Sequence, residues 1–341
     1  MRETINIAIV GFGNIAKSHY LGAQCANVRM DLPFNINISH IISKRSELNG
    51  PNNEPVYPTI KAAIESGVPI DVIDICNVND LHFDCIKEAV EHGIPIYCEK
   101  PLTDNLTDSE AALELAKKSN LLTGVPFIFR YIPAVHLLKE ALEQNVLGPV
   151  IEFKSTFYHD SYLNEVKRQS WRVKKSCGGG ASIDLSIHFV DLMRFIFGDI
   201  SSADTKTKIH FPNIDNDEVS FTNLSFESGV TGSIETSRIF NQRQCENKIE
   251  VFCEKGSFCC DLLRPYELEI NHFKGNTVIQ RSASEKIMQY AIPEGASLNY
   301  HQDGHTACIA DMARKVYDQS HSGFGATFLD AFIAQKHVTV D

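Results

Sequence analysis

Short apolar runs alternate with polar, helix-compatible stretches through the first third of the chain. Residues Ile5 to Val10 form the first run, broken at Asn6, and Gly11-Phe12-Gly13-Asn14-Ile15-Ala16 follows it directly as a GxGxxA turn. The stretch from Ile15 to Ala26 is helix-compatible, so the opening reads as strand, tight turn and helix. Further runs at Ile36 to Ile42, Val72 to Cys76, Ile94 to Cys98 and Leu121 to Val125 read as strands. Helices are expected between them at Leu81 to His92 and Ser109 to Ser119. This alternation predicts an α/β fold with an N-terminal doubly wound parallel sheet over 1–125.

From Val150 the pattern changes to strands at Ile151 to Tyr158, Ser202 to Phe211, Glu218 to Phe226, Val230 to Ser237, Lys248 to Cys253, Ser257 to Leu263, Tyr266 to His272 and Thr277 to Arg281. The links Glu227-Ser228-Gly229, Glu254-Lys255-Gly256 and Lys274-Gly275-Asn276 are hairpin-length and too short for parallel crossovers. They predict a large, mainly antiparallel open sheet in a second α/β domain over 126–341. Helices are expected there near Ile183 to Phe197, Gln302 to Tyr317 and Ala326 to His337.

Composition narrows the class without changing this outline. With 341 residues, 43% apolar and 22% charged, the chain has the make-up of a folded globular protein. Its net charge of -11, with no basic stripe, argues against nucleic acid as a partner. No apolar run approaches the roughly 18 residues of a membrane span, and the opening has no signal-peptide pattern. The ten cysteines are scattered without a CxxC pair and read as reduced thiols. No membrane association and a cytoplasmic location are the expectations.

The glycine turn carries the first candidate chemistry. Gly11 makes the turn, Gly13 lets the backbone approach a pyrophosphate, and Ala16 allows the helix to pack closely on the strand. Phosphate would then meet the helix N-terminus around Phe12, Asn14 and Ile15. Such a turn also occurs without a ligand; its place directly after the first strand is what points to a dinucleotide. At the end of the second strand stand Ser43, Lys44 and Arg45, a hydroxyl and two cations with no carboxylate to repel a 2′-phosphate. That favours NADP, with NAD possible, unless the segment is simply a solvated basic turn.

Glu99-Lys100-Pro101 follows the fourth strand at the carboxyl edge, where open parallel sheets bind ligands. The triplet Gly178-Gly179-Gly180 leads to Asp184 and His188, which an α-helix would place on one face. Arg130, Tyr158, Trp171 and Arg172 are further candidates for a substrate pocket, Arg130 alternatively for a structural contact. His301 and His305, with Asp303 between them, resemble metal ligands but lack a well-placed third, so no metal is expected and a pocket wall or exposed turn is the better reading.

These features occur in a fixed order: the GxGxxA turn, Asn77 with Asn79 and His82, Glu99-Lys100-Pro101-Leu102, Trp171-Arg172, and the glycine triplet with Asp184 and His188. In this the chain resembles the Gfo/Idh/MocA oxidoreductase family over nearly its whole length. The resemblance implies a Rossmann domain, with Asn77, Asn79, His82, Glu99 and Lys100 in the cofactor-binding set. It also implies a second domain that binds a sugar or polyol and forms a homodimer or homotetramer through its open sheet. Carried onto matching positions, Lys100 meets the reacting oxygen, Asp184 orients a substrate hydroxyl and His188 is the acid/base, with Lys100 the alternative as final proton acceptor. One departure is Ser186, where the family frequently has glycine. A dinucleotide-binding sensor and an NAD-dependent redox-cycling glycosidase are the competing functions.

Overall fold

The computed structural model describes residues 3–45, 47–170, 173–174, 177–241, 246–281 and 284–340. The first apolar runs become β1 (Glu3–Val10), β2 (Phe34–Ile42), β3 (Val56–Tyr57), β4 (Val72–Ile75), β5 (Ile96–Cys98) and β6 (Thr123–Gly124). They form one sheet in the order β3-β2-β1-β4-β5-β6, every neighbouring pair parallel. Every residue of β4 and β5 is buried, as expected of strands covered on both faces. The intervening helices are α1 (Asn14–Arg29), α2 (Ile60–Glu65), α3 (His82–Glu91) and α4 (Leu106–Ser119). The two-residue β3 and short α2 escape the apolar pattern because neither is long enough to show a period.

Eight strands build the second sheet: β7 (Val150–Tyr158), β8 (Ile200–Lys208), β9 (Val219–Phe226), β10 (Thr231–Ser237), β11 (Glu246–Cys253), β12 (Gly256–Asp261), β13 (Leu268–His272) and β14 (Thr277–Gln280). Their order is β14-β13-β12-β11-β7-β10-β9-β8. All pairs are antiparallel except β7 with β10, which run parallel. Hairpin-length links constrain only consecutive strands, so this central pairing could not be read from them. Burial alternates strictly along β11, and the covered face packs on α6 (Ile187–Phe197), where Phe157 and Phe189 lie 5.3 Å apart. A further helix, α5 (Pro133–Glu143), is tied to the strand ends by the Ala134 N–H donating to the Pro265 carbonyl at 2.8 Å. On the opposite face the row Asn223, Ser233, Lys154, Glu250, Cys259 and Glu269 crosses six strands, and it is polar almost throughout.

After the short α7 (Glu285–Met288) come α8 (Tyr300–Tyr317) and α9 (Phe328–Val338). Met1–Ile128 together with Gln289–Phe332 forms one compact unit, and Phe129–Met288 with Ile333–Asp341 the other. The uninterrupted second domain expected over 126–341 differs from this division, because α8 packs along α1. A Cβ on Gly22 would lie 3.3 Å from the Thr306 amide nitrogen, and the Gln302 side chain donates to the Ser18 carbonyl at 2.9 Å. Among the described residues the cysteines are free thiols, and no helix is long and apolar enough to cross a membrane.

Candidate active site

In the first unit the strand order reverses between β1 and β4, and ligands of open parallel sheets bind beyond the carboxyl ends of the strands at such a point. Gly11 leaves β1 there with φ +81°, donating its N–H to the Ile42 carbonyl at 2.8 Å. A Cβ on it would stand 2.8 Å from Asn77 Cα, so both conformation and space require glycine. A Cβ on Gly13, by contrast, would meet nothing within 4 Å, which fits a glycine kept bare for a group approaching from outside the chain. Helix α1 then starts at Asn14 without a side-chain cap or an acid in its first turn, and Ala16 is fully buried. Uncapped N–H groups and a bare glycine together fit a pyrophosphate.

The basic turn after β2 folds back onto this glycine turn. The Arg45 guanidinium donates to the Phe12 carbonyl at 2.7 Å, and its backbone N–H donates to Ser43 Oγ at 3.2 Å. Lys44 acts on the Cys85 thiol of α3, which burial nonetheless pushes up to about 11. Asn77 donates to Cys85 Sγ at 3.3 Å, and the buried Asn79 opens the turn before α3. His82 is wholly buried between the Pro101 carbonyl, 3.1 Å from Nδ1, and the Asn77 carbonyl, 3.3 Å from Nε2. Burial holds its pKa below the ordinary value. The His82 ring thereby ties the loops after β4 and β5 together.

Glu99 leaves β5 buried. One carboxylate oxygen lies 3.0 Å from His19 Nε2 and the other accepts the Lys100 N–H at 3.1 Å. Burial alone would raise its pKa, but the bond to His19 and that ring's charge bring it down to about 2. His305 is not on an exposed turn but is buried in α8, with its ring 4.9 Å from that of His19.

In the second unit, Gly178 and Gly180 adopt φ +63° and +120°. A Cβ on Gly180 would collide with the Asp217 carboxylate, which accepts the Ser182 N–H at 2.7 Å and its hydroxyl at 2.9 Å. This clamp starts a π-helical turn, Ser182–Ser186, that runs into α6. The helix expected from Ile183 therefore opens with a π-helical turn that carries Asp184, and His188 follows in α6. Asp184 forms an ion pair with Arg238, whose guanidinium also lies 5.0 Å from the centre of the Tyr162 ring. The His188 ring rests against Phe129, with centroids 5.2 Å apart.

The remaining candidates separate. Tyr158 is buried and stacked on Phe240 at 3.9 Å, its hydroxyl held proton-bound by burial and Glu235. Arg130 is buried in a two-pronged ion pair with Asp191, at 2.8 and 2.5 Å, a geometry that fits the structural contact offered as its alternative. Trp171 and Arg172 lie outside the described residues.

Residues 5–127 match the oxidoreductase family with an NAD-binding Rossmann fold, and residues 135–259 match the GFO/IDH/MocA C-terminal domain. The chain belongs to the Gfo/Idh/MocA oxidoreductase family. It is 28% identical over 225 residues to levoglucosan dehydrogenase of Pseudarthrobacter phenanthrenivorans, covering 59% of this chain and 58% of that one. It is 30% identical over 216 residues to scyllo-inositol 2-dehydrogenase (NAD(+)) of Bacillus subtilis, covering 61% and 60%. Each match thus spans less than two thirds of the relative's length. The fold is shared over more of the chain: a solved levoglucosan dehydrogenase in complex with NADH and levoglucosan superposes with a TM-score of 0.86 at 23% identity, over 97% of this chain and 95% of that one.

Within a Gfo/Idh/MocA oxidoreductase the departure at Ser186 is accommodated locally, since its hydroxyl lies 2.9 Å from that of Thr236 in a fully buried contact. Arg238 and His19 are the residues that sequence reasoning missed. No spacing pattern marks Arg238, which the parallel β7–β10 pairing carries to the end of β7. His19 does have a signal, a polar residue on the sheet-facing side of α1, but its partners are 55 and 80 residues away.

Proposed function

We propose that this oxidoreductase is a dehydrogenase acting on a CH–OH group of a sugar, polyol or sugar derivative, with NADP preferred over NAD. The observation that carries the reading is Lys100, which lies two residues beyond β5 at the carboxyl edge of an NAD-binding Rossmann sheet and whose peptide N–H is anchored by the buried Glu99 carboxylate. The dinucleotide, when bound, supplies the hydride acceptor that no side chain can provide. Lys100 puts positive charge where the substrate hydroxyl takes on alkoxide character. His188 accepts the hydroxyl proton, a contribution of about 10²- to 10⁴-fold. Asp184, held by Arg238, accepts a hydrogen bond from a substrate hydroxyl and so orients it.

The NADP preference is supported by Arg45 and Ser43, which sit against the glycine turn with no carboxylate among residues 41–45. The inositol relative is named for NAD(+) and the levoglucosan enzyme was solved with NADH, so on this point the chain would differ from them. The polar open face of the eight-stranded sheet suits a homodimer or homotetramer, which light scattering would size.

The test is the change in nicotinamide absorbance against levoglucosan, inositols, free sugars and sugar phosphates, with NADP and NAD in parallel and Lys100→Ala as control. Net turnover that the variant loses is expected. Dinucleotide binding without turnover would favour a sensor, and glycoside cleavage with no net cofactor reduction would favour a redox-cycling glycosidase.

A further inference from the structure

Behind Lys100 lies a polar cluster that the proposed hydride transfer does not touch. His19 of α1 is fully buried, and both its ring nitrogens face carboxylates from adjacent strands: Nδ1 is 3.0 Å from Asp74 of β4, and Nε2 is 3.0 Å from Glu99 after β5. These are hydrogen-bond separations on both sides, so the ring donates twice and carries the positive charge that two buried carboxylates need. Burial alone would lower the His19 pKa, but the Asp74 carboxylate and Cys76 raise it well above the ordinary value.

Glu99 uses its two oxygens differently. One takes the His19 bond, and the other accepts the N–H of Lys100, fixing the first peptide beyond the strand. We propose that the Asp74–His19–Glu99 bridge is the device that positions Lys100, making His19 a positioning residue that acts through Glu99. The consequence for rate rests on the reading of Lys100 given above; the consequence for the place of Lys100 does not.

Take the ring away and two carboxylates with 1% and 6% exposure share a site without a cation. One must gain a proton or draw in water, because a buried unpaired charge is strongly disfavoured. The groups facing His19 are Asp74 of β4 and Cys76 just after it, Tyr97 of β5 and Glu99 just after it, and His305 of α8. Among these carboxylates, Glu99 is the one bonded to the peptide of Lys100, so its protonation or displacement is what loosens that peptide.

The experiment is competitive acetylation of the full chain, with and without NADPH, read by mass spectrometry as the labelling rate of Lys100 relative to the exposed Lys117. No substrate is needed. In His19→Gln the relative rate should change by about threefold or more and protection by NADPH should weaken, while the unfolding midpoint shows the chain folded. Glu99→Gln should move Lys100 in the same way, and it serves if His19→Gln does not fold. An unchanged Lys100 rate in either folded variant overturns the proposal. Turnover then separates the two readings. If Lys100→Ala turns over normally, the catalytic assignment of Lys100 fails while the labelling result stands. If Lys100→Ala is slow, His19→Gln should slow the wild-type background about tenfold and the Lys100→Ala background not at all. Equal losses in both backgrounds would overturn the positioning role.

Discussion

The two sheets organise chemistry differently. In the six-stranded parallel sheet, β4 and β5 are buried along their whole length, and the candidate residues stand within two residues of carboxyl ends: Gly11 after β1, Ser43 after β2, Asn77 after β4 and Glu99-Lys100 after β5. In the eight-stranded sheet burial alternates, and the chemistry comes from elsewhere: Asp184 from a π-helical turn and Arg238 from beyond the end of β10. A parallel sheet covered on both faces leaves little but its strand ends for ligands. A sheet with one covered face leaves the placement of its site to the helix packed there and to strand pairing.

The charged pairs sharpen the contrast. His19 in the first unit is bridged on both sides, whereas Arg130 in the second is forked onto Asp191. In the proposed mechanism, His188→Asn should lower turnover by about 10²- to 10⁴-fold and leave dinucleotide affinity unchanged; stopped-flow rates at saturating cofactor would show it. A variant as fast as wild type would remove His188 from the acid–base role. Arg130→Met should destabilise the second unit by about 3–5 kcal/mol, since it leaves Asp191 buried without a cation. Urea unfolding reads that loss, and NADPH fluorescence titration should show the first unit still binding.

Ser43→Asp should move the NADP-to-NAD affinity ratio about tenfold toward NAD, by setting a carboxylate where a 2′-phosphate would lie. An unmoved ratio would place cofactor choice elsewhere. The smallest effect near neutrality concerns acid stability. Glu99 is held at about 2 against an ordinary 4.5, so its contribution is fully present above 4.5 and is lost as pH falls toward 2. His19 has the opposite sign: its contribution is complete below 6.5 and disappears only as pH rises through its elevated pKa. Unfolding midpoints measured from neutral to acid pH should therefore fall less steeply for Glu99→Gln than for wild type.

Much of the first unit was legible because its signals are local. An apolar run followed by GxGxxA states both the strand and the turn within a dozen residues, and Glu-Lys-Pro after a short strand states its place at the carboxyl edge. The basic turn after β2 was also readable, although its contact with the Phe12 carbonyl was not. The motif places His82 and Glu99 in the cofactor-binding set; their partners across the fold, the Pro101 carbonyl for one and His19 for the other, have no local signal. Arg130 was ambiguous for the same reason, since nothing nearby announces Asp191, 61 residues on.

By itself the sequence determined the order and type of most elements, the glycine turn, the absence of a basic stripe and the resemblance that named the family. Those properties depend on neighbours within a turn or a strand. Tertiary structure alone decided that β7 and β10 run parallel, that α8 packs on α1, that Asp184 meets Arg238 and that His19 joins Asp74 to Glu99. Each of these joins segments tens to hundreds of residues apart, and each is set by which faces must be buried and which charges must then be matched.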